Sequence, residues 1–143
     1  MEQKISLTDI SYLAGLFDGE GCVQYKQRIE TKKKHKGPGT RKTKVWRVSL
    51  EMSMTDKGVM EWVHNLVKCG TLKLNVKNKS PSAKPHYKDQ WRWRCSHRDA
   101  YGVAKLMWPY AIVKLHKLEQ IIDHYEPEHE APNVVSLESY RNE

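Results

Sequence analysis

The stretch Tyr12-Leu13-Ala14-Gly15-Leu16-Phe17-Asp18-Gly19-Glu20-Gly21 decides the fold, because an apolar, small-residue helix runs there straight into two acids set among glycines. Ser6 or Thr8 supplies the N-cap, and Asp9 falls in the first turn, where the helix dipole favours an acid. Ile10, Leu13, Ala14 and Phe17 recur at helical spacing. Gly19 and Gly21 are expected to end the helix and turn the chain sharply. A glycine inside a helix costs roughly 1 kcal/mol relative to alanine, so Gly15 signals the close approach of another backbone. A second helix of the same chain meets that requirement. So does the same helix of a second copy, and a two-fold axis there would bring two Glu20 carboxylates together.

Beyond Gly21 the apolar period shortens to two. Cys22 to Glu30 reads as a strand with Gln24, Lys26, Arg28 and Glu30 on one face and Val23, Tyr25 and Ile29 on the other. Thr31 to Thr43, mostly Lys, Arg, Gly and Pro with a turn at Gly37-Pro38-Gly39, is expected to be a long, flexible, positive hairpin tip. The return strand, Lys44 to Met54, sets Trp46, Val48, Leu50, Met52 and Met54 inward and Arg47, Ser49, Glu51 and Ser53 outward. Thr55 or Asp56 then caps a helix that carries Val59, Met60, Val63, Leu66 and Val67 inward and ends near Gly70.

A second unit of the same kind follows. Thr71 to Lys77 places Leu72, Leu74 and Val76 opposite Thr71, Lys73, Asn75 and Lys77, a polar loop runs from Asn78 to Lys88, and Gln90 to Ser96 sets Trp91, Trp93 and Cys95 against Arg92 and Arg94. Ser96 or Asp99 caps a helix through Val103, Leu106 and Met107, and Pro109 begins a last helical region through Ile112, Leu115, Leu118 and Ile122. The expected class is α+β in the order αββαββα: one four-stranded antiparallel sheet, apolar toward the helices and basic on its other face. Residues 1–125 form one domain, and residues 126–143, with several Glu and two Pro, form a tail or a surface-docked strap.

At 143 residues the chain has the length of one domain, and its formal charge of +8 with a pI near 9.4 favours a polyanionic partner. Cys22, Cys69 and Cys95 have neither paired nor metal-knuckle spacing, and no secretory leader precedes the first helix. They read as reduced thiols of an intracellular protein. No apolar run approaches the roughly 20 residues of a membrane helix, so no membrane partner is expected.

Among residues able to carry chemistry, Glu20 leads. Gly19 and Gly21 leave the backbone around it bare, and an oxygen-rich helix end suits Mg²⁺ (or Mn²⁺), a hard ion that keeps waters and bridges phosphate oxygens. Asp18 lies two positions back and points elsewhere, so one acid binds metal while the other caps or orients backbone; the plainer alternative is an acidic helix-exit turn without chemistry. Basic residues fill both hairpins, from Lys26 to Arg47 and from Lys73 to Arg94. Such a face neutralises phosphates while Gln24, Ser49, Ser53 and Asn75 read base edges. Glu30 and Glu51 either accept from cytosine or pair with a neighbouring base of the protein. Trp46, Trp91 and Trp93 have the parity of core residues more than of stacking platforms, and the seven histidines show no zinc spacing.

The string Leu13-Ala14-Gly15-Leu16-Phe17-Asp18-Gly19-Glu20-Gly21 resembles the signature of the LAGLIDADG homing endonucleases, with an aromatic at Phe17, Gly at position 19 and Glu in the terminal acidic slot. The resemblance extends through both strand-strand-helix units to about Tyr125, and a single motif in a chain of this size resembles the homodimeric branch. It implies that the motif helices pair through Leu13, Ala14, Gly15, Phe17 and Asp18, and that the sheets straddle a long, pseudo-palindromic duplex in the major groove. Glu20 matches the metal-binding catalytic acid, the Gly19 carbonyl a further ligand, and Asp18 a structural acid. Asp56 falls where relatives carry a polar residue near the scissile phosphate, but an acid departs from the expected amide and serves otherwise as a helix cap. Lys114 resembles the basic residue that stabilises phosphate charge.

Strand parity and the resemblance together give the DNA-reading positions as Gln24, Lys26, Arg28, Glu30, Arg47, Ser49, Glu51, Ser53, Thr71, Lys73, Asn75 and Lys77. Arg92 and Arg94 join them unless the strand slips by one residue, which would turn Trp91 and Trp93 to the DNA instead. The expected activity is divalent-metal-dependent, site-specific hydrolysis of double-stranded DNA by a homodimer. The alternatives are a non-cleaving DNA-binding protein or intron-splicing RNA maturase on the same scaffold, and an RNA-associated structural protein with Lys32-Lys33-Lys34 as a phosphate-binding arm.

Overall fold

The computed structural model describes residues 5–76 and 88–126. The expectations for Lys77, for most of the loop before the fourth strand and for the tail beyond Glu126 lie outside those residues. The element order is α1 (Leu7–Glu20), β1 (Gly21–Lys33), β2 (Thr40–Met54), α2 (Lys57–Val67), β3 (Thr71–Asn75), β4 (Gln90–Ser96), α3 (Arg98–Met107), a 3-10 turn (Trp108–Tyr110) and α4 (Leu115–Tyr125). The α+β class and the two strand-strand-helix units, β1-β2-α2 and β3-β4-α3, are therefore present, with α4 following the second. The strands form a single antiparallel sheet in the order β1-β2-β4-β3, so β2 and β4 join the two hairpins at its centre.

Ser6 begins α1 by accepting the Asp9 amide at 3.1 Å, leaving Thr8 on the helix surface. Gly21 does not make the sharp turn expected of it: its backbone is extended (φ −85°, ψ 163°) and leads directly into β1. Glycine is needed there for another reason, since a Cβ would overlap the Phe17 ring. Asp56 caps α2 by accepting the Val59 amide at 3.1 Å, and the chain leaves that helix through left-handed Lys68 (φ 55°) and Gly70 (φ 82°). Neither Ser96 nor Asp99 caps α3; His97 occupies the cap position at φ 54° without a side-chain bond.

The hairpin tip is shorter than its composition suggests. Thr31 and Lys33 remain in β1 and Thr40 and Thr43 in β2, paired one to one across the ribbon, which leaves Lys34 to Gly39 as the loop. β-Branched threonines and Glu30, placed between Lys32 and Arg47, let the basic strands pair despite their charge. Because β4 pairs with β2 only from Ser49 to Met54, the segment from Thr40 to Val48 overruns the sheet as a two-stranded ribbon. At about 3.3 Å per residue it reaches roughly 30 Å.

The overrun explains Trp46. Its parity is inward, as expected, yet it is 40% exposed because the helices do not extend beneath the ribbon. It stacks on Tyr25 instead (centroids 4.9 Å apart, 22° between planes), and His124 of α4 packs edge-on against both rings. The last helical region also differs from expectation. Pro109 starts only a 3-10 turn, α4 begins at Leu115, and Ile112, expected within the helical region, lies between them and is exposed, as is Val113.

The core lies between the sheet and the helices and includes Leu13, Phe17, Leu50, Met52, Met60, Trp93, Met107, Leu118 and Ile122. Trp93 is fully buried and donates its indole N–H to the Cys69 carbonyl at 3.0 Å. That contact fixes the register of β4: Trp93 faces the helices, and Arg92 and Arg94 face away.

Candidate nucleic-acid interface

The two acids at the end of α1 have different surroundings. The Asp18 carboxylate turns toward the segment ahead of α4 and accepts three backbone amides, from Ile112 (2.8 Å), Val113 (3.2 Å) and Lys114 (3.1 Å). It thereby acts as a remote cap on an otherwise uncapped helix, since Lys114 at the N-cap of α4 supplies no side-chain bond there. The Lys114 ammonium returns to donate to the Asp18 carbonyl at 2.8 Å. The clasp carries Lys114 across 96 positions of sequence to within two residues of Glu20 in the motif.

Glu20, the last residue of α1, is exposed, and its carboxylate has no hydrogen bond or ion pair among the described residues. Gly19 is also exposed, with nothing within 4 Å of where its Cβ would be. The last turn of α1 contains no base, and the Asp18 carboxylate there is taken up by three backbone amides, with the Lys114 ammonium on the Asp18 carbonyl. Glu20, with the exposed backbone beside it, suits a hard divalent cation, which needs one or two carboxylates and otherwise takes waters and phosphate oxygens. No cluster of three or more His, Cys, Asp or Glu side chains occurs among the described residues.

On α1 the residues expected at a subunit contact divide. Leu13, Ala14 and Phe17 are 0–1% exposed within the chain's own core. Withdrawing a leucine or phenylalanine side chain from the core costs on the order of 2 kcal/mol or more, so Leu13 and Phe17 stay with their own chain's core. Asp18 is engaged with the α4 segment. Gly15 is exposed and stands with Ser11 and Gly19 on the free side of the helix, where Tyr12 and Leu7 are also 56% and 67% exposed. Tyr12 lies edge-on to Trp62 of α2 at 5.3 Å.

The sheet brings the remaining candidates together. Cross-strand pairs share a face in an antiparallel sheet. Lys26 opposes Arg47, Gln24 opposes Ser49, Arg94 stands between Glu51 and Thr71, and Arg92 between Ser53 and Lys73. Asn75 follows on β3, and Arg28 and Glu30 continue the same parity along β1. All the predicted reading positions among the described residues thus lie on the face opposite the helices. Asp56 is not on this face; its carboxylate is occupied as the cap of α2.

Both acids of this face pair with bases of the protein. Glu30 lies 3.7 Å from Lys32 and 4.0 Å from Arg47, with all three side chains at least 35% exposed. Such screened pairs contribute about 0–1 kcal/mol each. Glu51 is only 18% exposed and meets Arg92 and Arg94, each at 2.9 Å. The Ser49 hydroxyl donates to the Gln24 side-chain amide oxygen Oε1 at 3.2 Å. Gln24, Glu30, Arg47, Ser49, Arg94 and Ser96 line a concavity where β4 leaves the side of β2.

No family model and no curated protein matches the sequence. Solved structures do match the fold. The homing endonuclease I-CvuI, in complex with the I-CreI target, superposes at a TM-score of 0.59 with 16% identity over 94% of this chain and 74% of that one. The homing endonuclease I-TnaI gives 0.53 and 16% over 90% and 78%. The LAGLIDADG meganuclease I-AabMI, bound to uncleaved DNA, gives 0.53 and 17% over 82% of this chain and 36% of that one. The chain has the LAGLIDADG homing-endonuclease fold.

On the LAGLIDADG fold of this chain, further residues share this basic face without having been singled out from the sequence as DNA-reading positions: Lys32, Arg41 and Thr43 toward the ribbon tip, Gln90 opposite Asn75, and Ser96 opposite Ser49. Parity alone identifies Ser96 and Gln90 once the register of β4 is known. For Lys32 and Arg41 the signal was obscured because Gly37-Pro38-Gly39 and the surrounding charge imitate a longer loop.

Proposed function

We propose that the chain is a divalent-metal-dependent, site-specific double-strand DNA endonuclease of the LAGLIDADG kind, acting as a homodimer. The observation that carries this reading is the end of α1. There a carboxylate without a partner among the described residues, Glu20, stands two positions along the chain from Asp18, whose carbonyl holds a lysine brought from far along the chain, at the head of the strand that opens a basic sheet face. A structural helix exit requires neither an unpaired acid nor a distant ammonium.

In this reading the basic face holds the duplex: lysines and arginines of β1 to β4 neutralise phosphates, and the fixed polar side chains between them contact base edges in the major groove. Glu20, with the Gly19 carbonyl, holds Mg²⁺ or Mn²⁺ near the scissile phosphate. That ion supplies activation of the attacking water and stabilisation of charge on the phosphoryl oxygens. Lys114 adds a fixed positive charge at the same place without acting as the base. Asp18 positions Lys114 and α4 and touches no substrate. Two copies meeting at the free side of α1, through Ser11, Gly15 and Gly19, supply one Glu20 for each strand.

The test is cleavage of a plasmid library carrying randomised inserts, with Mg²⁺ and with EDTA. Linear product that forms only with the metal, at a recurrent sequence, is the expected result. Specific binding without linear product under any divalent metal would replace this reading with that of a DNA-binding protein. Binding only to structured RNA would replace it with that of a maturase.

A further inference from the structure

Glu51 is set between two arginines of the neighbouring strand. Its Oε2 accepts Arg94 Nε at 3.2 Å and lies 2.9 Å from Arg94 Nη2 as an ion pair, and its Oε1 lies 2.9 Å from Arg92 Nε. The register imposes this arrangement, since Arg94 is directly opposite Glu51 and Arg92 is one pleat further along, opposite Ser53. Each guanidinium therefore has one edge used inside the protein. Arg94 commits Nε and Nη2, which is a full side of its fork. Arg92 commits only Nε, an atom shielded from solvent that lies off the hydrogen-bonding direction and so contacts Glu51 as an ion pair alone. Both terminal nitrogens of Arg92 remain without a protein partner among the described residues.

We propose that Glu51 is a positioning residue that presents Arg92 as a guanine reader. This rests on the reading of the chain as a DNA endonuclease and names what that site selects. Two parallel donors on a guanidinium end match the O6 and N7 acceptors of guanine in the major groove. A phosphate is the poorer partner here for two reasons. Arg92 and Glu51 stand on the two central strands, away from the sheet margins, and a carboxylate 2.9 Å behind the guanidinium repels an anion while leaving a neutral base edge unaffected. Holding a long side chain in place before binding also removes part of the ordering cost that a free surface arginine meets.

The test is selection of bound duplexes from a randomised pool by the wild type, Arg92→Lys, Glu51→Gln and the double variant. Lysine keeps the charge and loses the fork. Arg92→Lys is expected to lower the preference for guanine at one base pair of each half-site about tenfold, with the other positions unchanged. Glu51→Gln should weaken the same position several-fold, and the double variant no further than Arg92→Lys, because the two residues act as a unit. A merely structural Glu51 would weaken all positions together or none, and that result overturns the proposal. So does a guanine preference that neither variant changes. Should Glu51→Gln not fold, Glu51→Asp, which keeps the charge and shortens its reach to Arg92, takes its place with the same selective weakening expected. Failure of the wild type to bind any duplex would overturn the endonuclease reading, and this inference with it.

Discussion

Asp18 and Lys114 hold each other through main chain and side chain at once: the Asp18 carboxylate accepts the Lys114 amide at 3.1 Å while the Lys114 ammonium donates to the Asp18 carbonyl at 2.8 Å. With the amides of Ile112 and Val113 on the same carboxylate, the end of α1 and the start of α4 are a single hydrogen-bonded joint. Asp18→Ala strands three amides and should lower the unfolding free energy by about 1–3 kcal/mol, partly because water reaches some of them. Asp18→Asn keeps one acceptor oxygen and should fall between. Urea midpoints at unchanged m-value provide the measurement; a loss under about 0.5 kcal/mol would mean that solvent replaces the joint.

Glu20 and Lys114 occupy the same end of the fold, yet their substitutions should separate. Glu20 has no partner among the described residues, so Glu20→Gln is expected to abolish cleavage with the melting temperature and duplex affinity nearly unchanged. Lys114→Met removes a fixed charge near the phosphate and should slow cleavage about 10²-fold. It also loses the bond to the Asp18 carbonyl, which contributes about 1 kcal/mol of stability. Single-turnover cleavage beside thermal melts distinguishes the two. If Glu20→Gln cleaved at the wild-type rate, the acid at position 20 would not be the metal ligand.

The three cysteines should differ in reactivity. Cys95 is buried, and burial raises its thiol pKa well above the usual range; Cys69 is raised chiefly by the same cause. Cys22 is exposed. A maleimide added to folded protein at neutral pH should therefore modify Cys22 first, and Cys95 only on unfolding. The same shifts carry a pH dependence. Above about pH 8.5 an unfolded chain releases thiol protons that the folded chain retains, so the stability contributed by the neutral thiols is complete below that pH and declines above it. Denaturation curves at pH 8 and pH 10 check this, and Cys95→Ala should lessen the slope. Equal labelling of all three cysteines in the folded protein would show that the layer over β4 is open.

How far the sequence led depends on which periodicity was strong. Trp91-Arg92-Trp93-Arg94-Cys95 alternates so regularly that its faces were legible, and only a slipped strand threatened them; the bond from Trp93 to the Cys69 carbonyl removes that threat. Glu20 stood out by its motif, whereas the task of Asp18 did not, because its three amide partners lie more than 90 positions away and have no side-chain signature. Leu13, Ala14 and Phe17 show the opposite failure. One apolar stripe serves equally for a chain's own core and for a partner helix, and only the completed packing assigns it to the core. Ile112 misled because it fits the helical spacing of Leu115 and Leu118, while Pro109 and the clasp on Asp18 keep its segment out of the helix.

Gly15 offers the sharpest test of pairing between copies. Nothing lies within 4 Å of where its Cβ would be, so the isolated chain accommodates any side chain there, and Gly15→Ala should stabilise a lone α1 by about 0.5–1 kcal/mol through helix propensity. In a pair of helices packed across that position the sign reverses, because a side chain forces the two backbones apart. Gly15→Leu is therefore expected to fold normally, lose dimer mass in light scattering at micromolar concentration, and bind a half-site without cutting both strands. Gly15→Ala should melt higher than the wild type when dilute and show a weaker dimer when concentrated. That crossing of the two effects has no explanation in a monomer, where the stabilisation would persist at every concentration. A Gly15→Leu protein with the wild-type mass and cleavage would remove the free side of α1 from the interface and leave one Glu20 per duplex.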